Sequence, residues 1–327
     1  MKTLVTGVTG LVGSAVVRKL VARGREVRAM VEPGATLRTL DGLDVELVRA
    51  DVRDRDAVHR AHDGVNVVYH LAAIYKLWLP DAKVMYDVNV EGTKNVLFAA
   101  MRAGVDRVIH TSSIAAVGFA EPGALADEST EFNYWDDADH YIRSKWLSER
   151  DALRFAAEGV PVVVVNPAFV FGERDSGPTP TGGFIVEALR RRVPGYASGG
   201  FNAVDVEDVA EAHVLAEERG RVGERYIAGG HNVTYKEFYQ AVTEVAGLPA
   251  IKRKIPGSLA YSIGMGMEAV ARIQQTAPLI TRKAAWYTAR RAFFDTTKAR
   301  SELGMPTTPL RDTIAKAIRW FRDHGYA

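Results

Sequence analysis

Tyr141 and Lys145 stand four residues apart in the stretch YIRSK. On a helix that spacing sets both side chains on one face, about one turn apart. A lysine ammonium there can lower the pKa of a phenol and let it exchange a proton with a substrate near neutral pH. Spacing alone does not establish this chemistry, because with 12 tyrosines in 327 residues chance supplies roughly 0.4 such pairs. A second constellation lies at the N-terminus, where LVTGVTGLVGSAVV places Gly7, Gly10 and Gly13 after an apolar strand and at the head of a helix. Glycines there permit a tight turn and close backbone approach to a pyrophosphate, and the helix N-terminus adds free amides and a favourable dipole. At the start of a strand–helix series, the trio points to a dinucleotide. Further candidates sit at strand ends, where such sheets bind ligands. Asp51 in RADV offers a carboxylate to an adenine amine, and HLAA (70–73) offers small residues that let a cofactor come close. Asn89, near a helix start, serves either as a ligand contact or as a structural cap.

These residues need elements to hold them, and the chain supplies two alternating periods. Apolar runs at 2–6, 26–31, 45–50, 66–72, 107–112 and 160–166 are predicted to be buried strands. Longer helical patterns around 11–24, 54–62, 83–103 and 140–158 separate them. Strands apolar on both faces, alternating with helices, predict a doubly wound parallel α/β sheet of the Rossmann type. After Gly172 the character changes to a breaker-rich loop, GERDSGPTPTGG. Residues 202–219 are expected to return to the first domain as a strand and a helix. The remainder, with YIAGG at 226–230 and helical stretches near 234–246 and 258–275, predicts a smaller, mostly helical C-terminal substrate domain. The expected division is 1–172 with 202–222 for the dinucleotide, and 173–201 with 223–327 for the substrate. The Met-rich face of the stretch YSIGMGMEAVARI is expected to pack in the core, with a lipophilic substrate wall as the alternative.

Composition sets outer bounds. Hydrophobic residues at 47% and charged residues at 25% match an ordinary soluble globular protein. A net charge of +2 gives no electrostatic footprint for nucleic acid. The one tight basic cluster, Arg190–Arg192, is expected to solvate a helix end. The absence of cysteine excludes disulfides, thiolate nucleophiles and cysteine-containing zinc sites. His59 and His62 fall in a charged helical stretch and are read as a solvated face, so no metal site is expected. The N-terminus runs straight into a strand and no run approaches about 20 apolar residues, so a cytoplasmic protein without a membrane-spanning segment is expected.

Taken together and in order, the Gly7/Gly10/Gly13 turn, ADV, HLAA, NVEGT, TSS, YIRSK and NPAFVFG resemble the extended short-chain dehydrogenases/reductases, the NAD-dependent epimerase/dehydratase superfamily. YKLWLPD, NVEGTKNVLFAA, PTPTGG and GERYIAGG narrow the resemblance to the dihydroflavonol 4-reductase-like branch, and within it to bacterial hopanoid-associated sugar epimerase-like proteins. The resemblance covers essentially the whole chain. It implies a catalytic set of Tyr141, Lys145 and a serine five residues before Gly118, which selects Ser113 over Ser112. In that set Tyr141 gives or takes the proton on the substrate oxygen. Lys145 stabilises the phenolate and holds the nicotinamide ribose, and Ser113 orients the same oxygen. It further implies cofactor contacts from Gly7, Gly10, Leu11, Val12, Gly13, Glu32, Asp51, Val52, Leu71, Ala72, Ala73, Asn89, Thr111, Ser112, Tyr141, Lys145 and Pro167.

Glu32 stands where NADP-using members of this branch carry an arginine for the 2′-phosphate, so NAD is expected, with NADP as the alternative through Arg28 or Arg38. Nucleotide-sugar members usually place a diphosphate-binding arginine where this chain has Phe201, Asn202 and Ala203. The expected reaction is therefore interconversion of a ketone and a secondary alcohol on a bulky, non-nucleotide small molecule. Sugar or nucleotide-sugar epimerisation or dehydration is the alternative, and a non-catalytic cofactor sensor would lack the tyrosine or lysine present here. Tyr75 and Trp78 are expected either to wall the substrate or to pack their own loop. The resemblance also implies a homodimer through helices 83–103 and 140–158, with Val84, Val88, Leu97 and Trp146 as surplus apolar residues.

Overall fold

The computed structural model describes residues 1–274, 276 and 280–327. Its first half alternates β1 (Lys2–Thr6), α1 (Leu11–Ala22), β2 (Glu26–Val31), β3 (Glu46–Arg49), α2 (Arg55–Ala61) and β4 (Val67–His70). It continues with α3 (Lys83–Tyr86), α4 (Gly92–Ala103), β5 (Arg107–Thr111), α5 (His140–Ala157) and β6 (Val162–Pro167). A π-type turn at Asp87–Glu91 joins α3 to α4. The second half carries β7 (Phe169–Phe171), α6 (Gly182–Leu189), β8 (Gly200–Asp205), α7 (Val206–Arg219), β9 (Arg225–Ala228) and β10 (His231–Thr234). It ends with α8 (Tyr235–Ala246), α9 (Gly257–Gln274), α10 (Arg282–Thr288), β11 (Arg291–Ala292) and α11 (Leu310–Asp323). The predicted helix near 258–275 is therefore present, and its last position, Gln275, lies outside the described residues.

Seven parallel strands form the large sheet in the order β3-β2-β1-β4-β5-β6-β9. The order reverses between β1 and β4, and this reversal opens the crevice in which such sheets bind ligands. Alternation along each strand divides its side chains between two cores. Val5, Tyr69, Ile109 and Val163 pack under α1 and α7, beside Val16, Leu20 and Val209. Leu4, Val68, Val108 and Val164 pack on the other face against Val96, Ala100, Ala152 and Phe155.

Two strand assignments differ from expectation. Residues 225–228, read as part of the smaller unit, form the edge strand of the large sheet, with Val164 opposite Arg225. Tyr226, Ile227 and Ala228 are fully buried, as a strand covered on both faces must be. Conversely, β8 is the centre of a second sheet with β7, β10 and β11. Of residues 202–219, only α7 returns to the large sheet. The second sheet carries an aromatic core in which Phe201 meets Phe169, Phe171, Tyr235 and Phe238. Leu97 on α4 is also fully buried in its own chain, so it is not a surplus surface residue.

Candidate active site

The glycine turn is shaped by steric need at two of its three positions. Gly7 has φ of +69°, and a Cβ there would lie 2.6 Å from the Ala72 nitrogen. A Cβ on Gly13 would stand 2.1 Å from the Gly7 carbonyl oxygen. Gly10 is different: a Cβ there meets only the Gly7 oxygen, at 3.4 Å, and otherwise faces open space. It also heads α1 without a side-chain cap. The first-turn amides are thus left for a ligand, and the smallest residue borders them.

The loop after β4 is clamped to this turn by a residue the sequence analysis passed over. His70 is buried between Thr6, 2.8 Å from its Nδ1, and Thr93, 2.9 Å from its Nε2. Burial pushes its pKa down to about 3, so it is neutral. Thr6 Oγ1 accepts from the Leu71 and Ala72 amides at 3.1 Å each, and its own proton goes to His70. Asn89 was expected to touch the cofactor, yet its amide is spent inside the protein. Its Oδ1 accepts from the Ile74 amide at 2.7 Å, and its Nδ2 donates to the Ile74 carbonyl and to Ser144 Oγ. Of the two roles open from sequence, the structure gives the structural one, fastening the loop to α5 from the π-type turn.

A cavity of about 320 Å³ opens at the C-terminal ends of the central strands. Gly7, Gly10, Leu11, Val12 and Gly13 border it on one side, with Leu71 and Ala73 from the β4 loop. Thr111, Ser112, Ser113, Tyr141, Lys145 and Pro167 complete the half nearest the sheet. The structure thus brings 13 of the predicted site residues to one wall, as the lining shows. Ala72 packs against Gly7 instead. Val52 is buried and turns toward Gly92 on α4, so its side chain serves the core. Asp51 and Glu32 lie beyond the cavity, past the ends of β3 and β2. Asp51 pairs with Arg53 at 2.6 Å, which holds its carboxyl below the usual range. Glu32 is exposed and close enough to raise the Arg53 pKa. Arg28 cannot meet a ribose phosphate. Its guanidinium is buried and spent on Glu46 and on the Ala61 and Asp63 carbonyls, at 2.9, 2.9 and 2.7 Å.

Tyr141 and Lys145 lie on α5, capped by Asp139, whose carboxylate accepts from the Ile142 amide at 2.8 Å. Burial pushes the Tyr141 phenol up to about 12, partly offset by a hydrogen bond from Ser113. Burial likewise pushes the Lys145 ammonium down to about 8. Lys145 donates to the Thr111 carbonyl at 2.7 Å, and burial is what sets the phenol high. At neutral pH the pair is therefore a neutral acid beside a cation. Ser113 Oγ accepts from the Ala115 amide at 3.1 Å, leaving its proton to donate. Behind it, Asn166 donates to the Ser113 carbonyl and to Glu149, which is paired with Arg225 at 2.7 Å. Sequence reasoning missed this buried network, since its members come from α5, β6 and β9.

The outer half of the cavity is apolar and aromatic. Tyr75 lies 4.7 Å from Tyr141, centroid to centroid, and Leu77, Phe169, Phe184, Tyr235 and Tyr287 continue the wall. Leu77, rather than Trp78, joins Tyr75 from the β4 loop in this outer wall. Lys145 and Asp139 are the charged side chains among the described lining residues. Phe201, Asn202 and Ala203 are fully buried, and Asn202 is engaged by Asn232 and the Gly230 amide.

A nicotinamide dinucleotide fits the inner half. Uncapped amides flank a glycine with open space before it, and Ser112 Oγ is buried in the lining without a hydrogen-bond partner among the described residues. Comparison with known proteins agrees with this geometry. Residues 3–229 match the model described as the NAD dependent epimerase/dehydratase family. The protein named sterol demethylase protein B from Methylococcus capsulatus is 36% identical over 99% of this chain and 99% of its own. A 4-hydroxy-2-methyl-3-oxo-4-farnesyl-3,4-dihydroquinoline-1-oxide ketoreductase from Stigmatella aurantiaca is 30% identical over 93% of this chain and 91% of its own. The crystal structure of a nucleoside-diphosphate-sugar epimerase from Pseudomonas aeruginosa superposes with a TM-score of 0.82 at 29% identity, covering 100% of this chain and 99% of that one.

Proposed function

The chain belongs to the NAD dependent epimerase/dehydratase family, and on that premise we propose that it interconverts a ketone and a secondary alcohol on a bulky, non-nucleotide substrate. The observation that carries this reading is the outer cavity. Its wall is aromatic and aliphatic, and the described lining offers no cation besides Lys145. A diphosphate buried there would lack a counter-charge, which costs far more than an apolar ring costs. Two relatives bear names that point the same way, one naming a sterol and the other a farnesylated quinoline ketone.

In this reading the bound nicotinamide supplies the hydride. The Gly7–Gly13 turn and the first-turn amides of α1 would hold its diphosphate, and Lys145 with Tyr141 its ribose. Tyr141, neutral at pH 7, gives its proton to the carbonyl oxygen during reduction and recovers it during oxidation. Ser113 donates a hydrogen bond to the same oxygen as charge develops there. Asp139 and the Asn166–Glu149–Arg225 network fix the backbone on which these groups sit.

Structural likeness to a nucleoside-diphosphate-sugar epimerase keeps epimerisation or dehydration as the second reading. Incubating purified protein with nicotinamide cofactors and two substrate panels separates them. Cofactor absorbance that changes with bulky apolar ketones or alcohols supports the proposal. Isomerised or dehydrated nucleotide sugar without net change in cofactor overturns it.

A further inference from the structure

Helix α9 presents its apolar side outward. Leu259, Ile263 and Val270 form one line at helical spacing, with Tyr261 and Met265 beside them, and all five are 39–54% exposed. Ser258, Ser262, Gly266, Ala269 and Gln274 are also exposed among the described residues of the helix. The inner side is made of small residues. Gly264 is so close to α10 that a Cβ would lie 2.7 Å from the Arg282 nitrogen, and Ala271 is buried. Between Gly257 and Ala271 the one charged residue is Glu268, which is half-buried and accepts from the Arg282 amide at 2.8 Å. This Met-rich face, expected in the core, lies at the surface, with Ile263 and Met265 exposed.

The surroundings of this face are basic. Residues 252–291 hold eight Lys or Arg against a single acid, in a chain whose net charge is only +2. Lys252, Arg253 and Lys254 lead into α9, exposed and without a described ion pair. Their strand-like segment is hydrogen-bonded to Tyr196, from Tyr196 N to the Arg253 carbonyl and from Ile255 N to the Tyr196 carbonyl, at 2.9 Å each. That bridge draws in the second basic triplet, Arg190–Arg192, which ends four residues before Tyr196 and is also exposed. Exposed apolar residues on a helix of 18 residues, about 27 Å long, beside two basic triplets, form the signature of a helix lying in a lipid interface.

We propose that α9, flanked by the triplets 190–192 and 252–254, docks this protein on the surface of an anionic lipid bilayer. The charge pattern favours this occupant over a second copy of the chain. A two-fold contact on the same face would bring identical basic triplets toward one another. The arrangement also serves the proposed activity, because α10 packs on α9 and contributes Ala284, Tyr287 and Thr288 to the cavity. An apolar substrate dissolved in the bilayer would reach Tyr141 from the side that touches the lipid. The docking itself does not rest on the proposed activity and is tested without turnover.

Full-length protein is sedimented with phosphatidylcholine vesicles, with and without phosphatidylglycerol, at low and high salt. The expected result is partitioning on the order of tenfold stronger to the anionic vesicles, weakening with salt. Lys252→Glu with Lys254→Glu, and separately Ile263→Glu with Met265→Glu, should each lower it by on the order of tenfold, with melting temperature and NADH binding unchanged. If the second pair melts early, Ile263→Ser carries the same comparison. Equal recovery with neutral and anionic vesicles, or indifference to the charge reversals, overturns the proposal. So does a dimer that Ile263→Glu dissociates in protein showing no vesicle binding, which would give the face to a second copy.

Discussion

Lys145 sets the pH behaviour of the site. Its buried ammonium titrates at about 8 and its hydrogen bond goes to Thr111. Cofactor affinity should therefore fall as pH rises through about 8, and Lys145→Arg, which keeps its charge, should lose that dependence while binding more weakly. Fluorescence titration of NADH on either side of that pH reads both effects. The same shift has a stability consequence of fixed sign. Between the folded value of about 8 and the ordinary lysine value of 10.5, the unfolded chain binds the extra proton, so this group makes stability rise with pH across that window. Glu32 is the candidate selector at the other end of the site. With Arg28 consumed by Glu46 and backbone carbonyls, the remaining cation of the NADP alternative is Arg38. Glu32→Arg should shift preference toward NADPH by on the order of tenfold or more. A wild type that already binds NADPH more tightly than NADH would remove Glu32 as the selector. Tyr141, Lys145 and the glycines were legible because their spacing is local and their motifs, taken in order, resemble those of a known family; the spacing of the pair alone gave only a shared helix face. His70 and Asn166 were not, since their partners lie on other strands and helices.

The strand–helix alternation foretold the large sheet because each buried strand announces itself locally, by apolar residues on both faces. Elements that depend on a distant partner were harder to place. YIAGG has the same apolar character whether it pairs with β6 or belongs elsewhere, and only the packed chain decides. Likewise β8 has six buried residues, as a strand of either sheet would. Asn89 shows how an element positions chemistry without joining it. From the π-type turn it ties Ile74 to Ser144 on α5, and so holds the loop bearing Tyr75 against the helix bearing Tyr141. Asn89→Ala leaves the partly buried Ile74 amide without its side-chain partner and should cost about 1–3 kcal/mol of stability. Turnover should drop with it, while NADH binding changes less. Denaturant unfolding alongside steady-state kinetics checks this. An unaltered midpoint would show that the clamp contributes nothing.

At the scale of the whole molecule, no described helix is long and apolar enough to cross a membrane. The proposed homodimer through residues 83–103 and 140–158 now rests on Val84, Phe98 and Met101, which are exposed. Leu97 is not among them, and Trp146 packs tilted against Phe132 and edge-on to Trp135 of its own chain. Light scattering should give twice the 35.8 kDa chain mass, and Phe98→Glu with Met101→Glu should halve it. A monomeric wild type at micromolar concentration would dispose of that contact. The proposed reaction turns on one proton, which Tyr141 would donate at the junction of the inner, dinucleotide half and the outer, apolar half of the cavity. The most direct test follows NADH oxidation with a bulky ketone by wild type and by Tyr141→Phe, with NADH affinity measured on both. The account predicts turnover lowered by roughly 10²–10⁴-fold with cofactor affinity nearly unchanged. Near-wild-type turnover in Tyr141→Phe would contradict it.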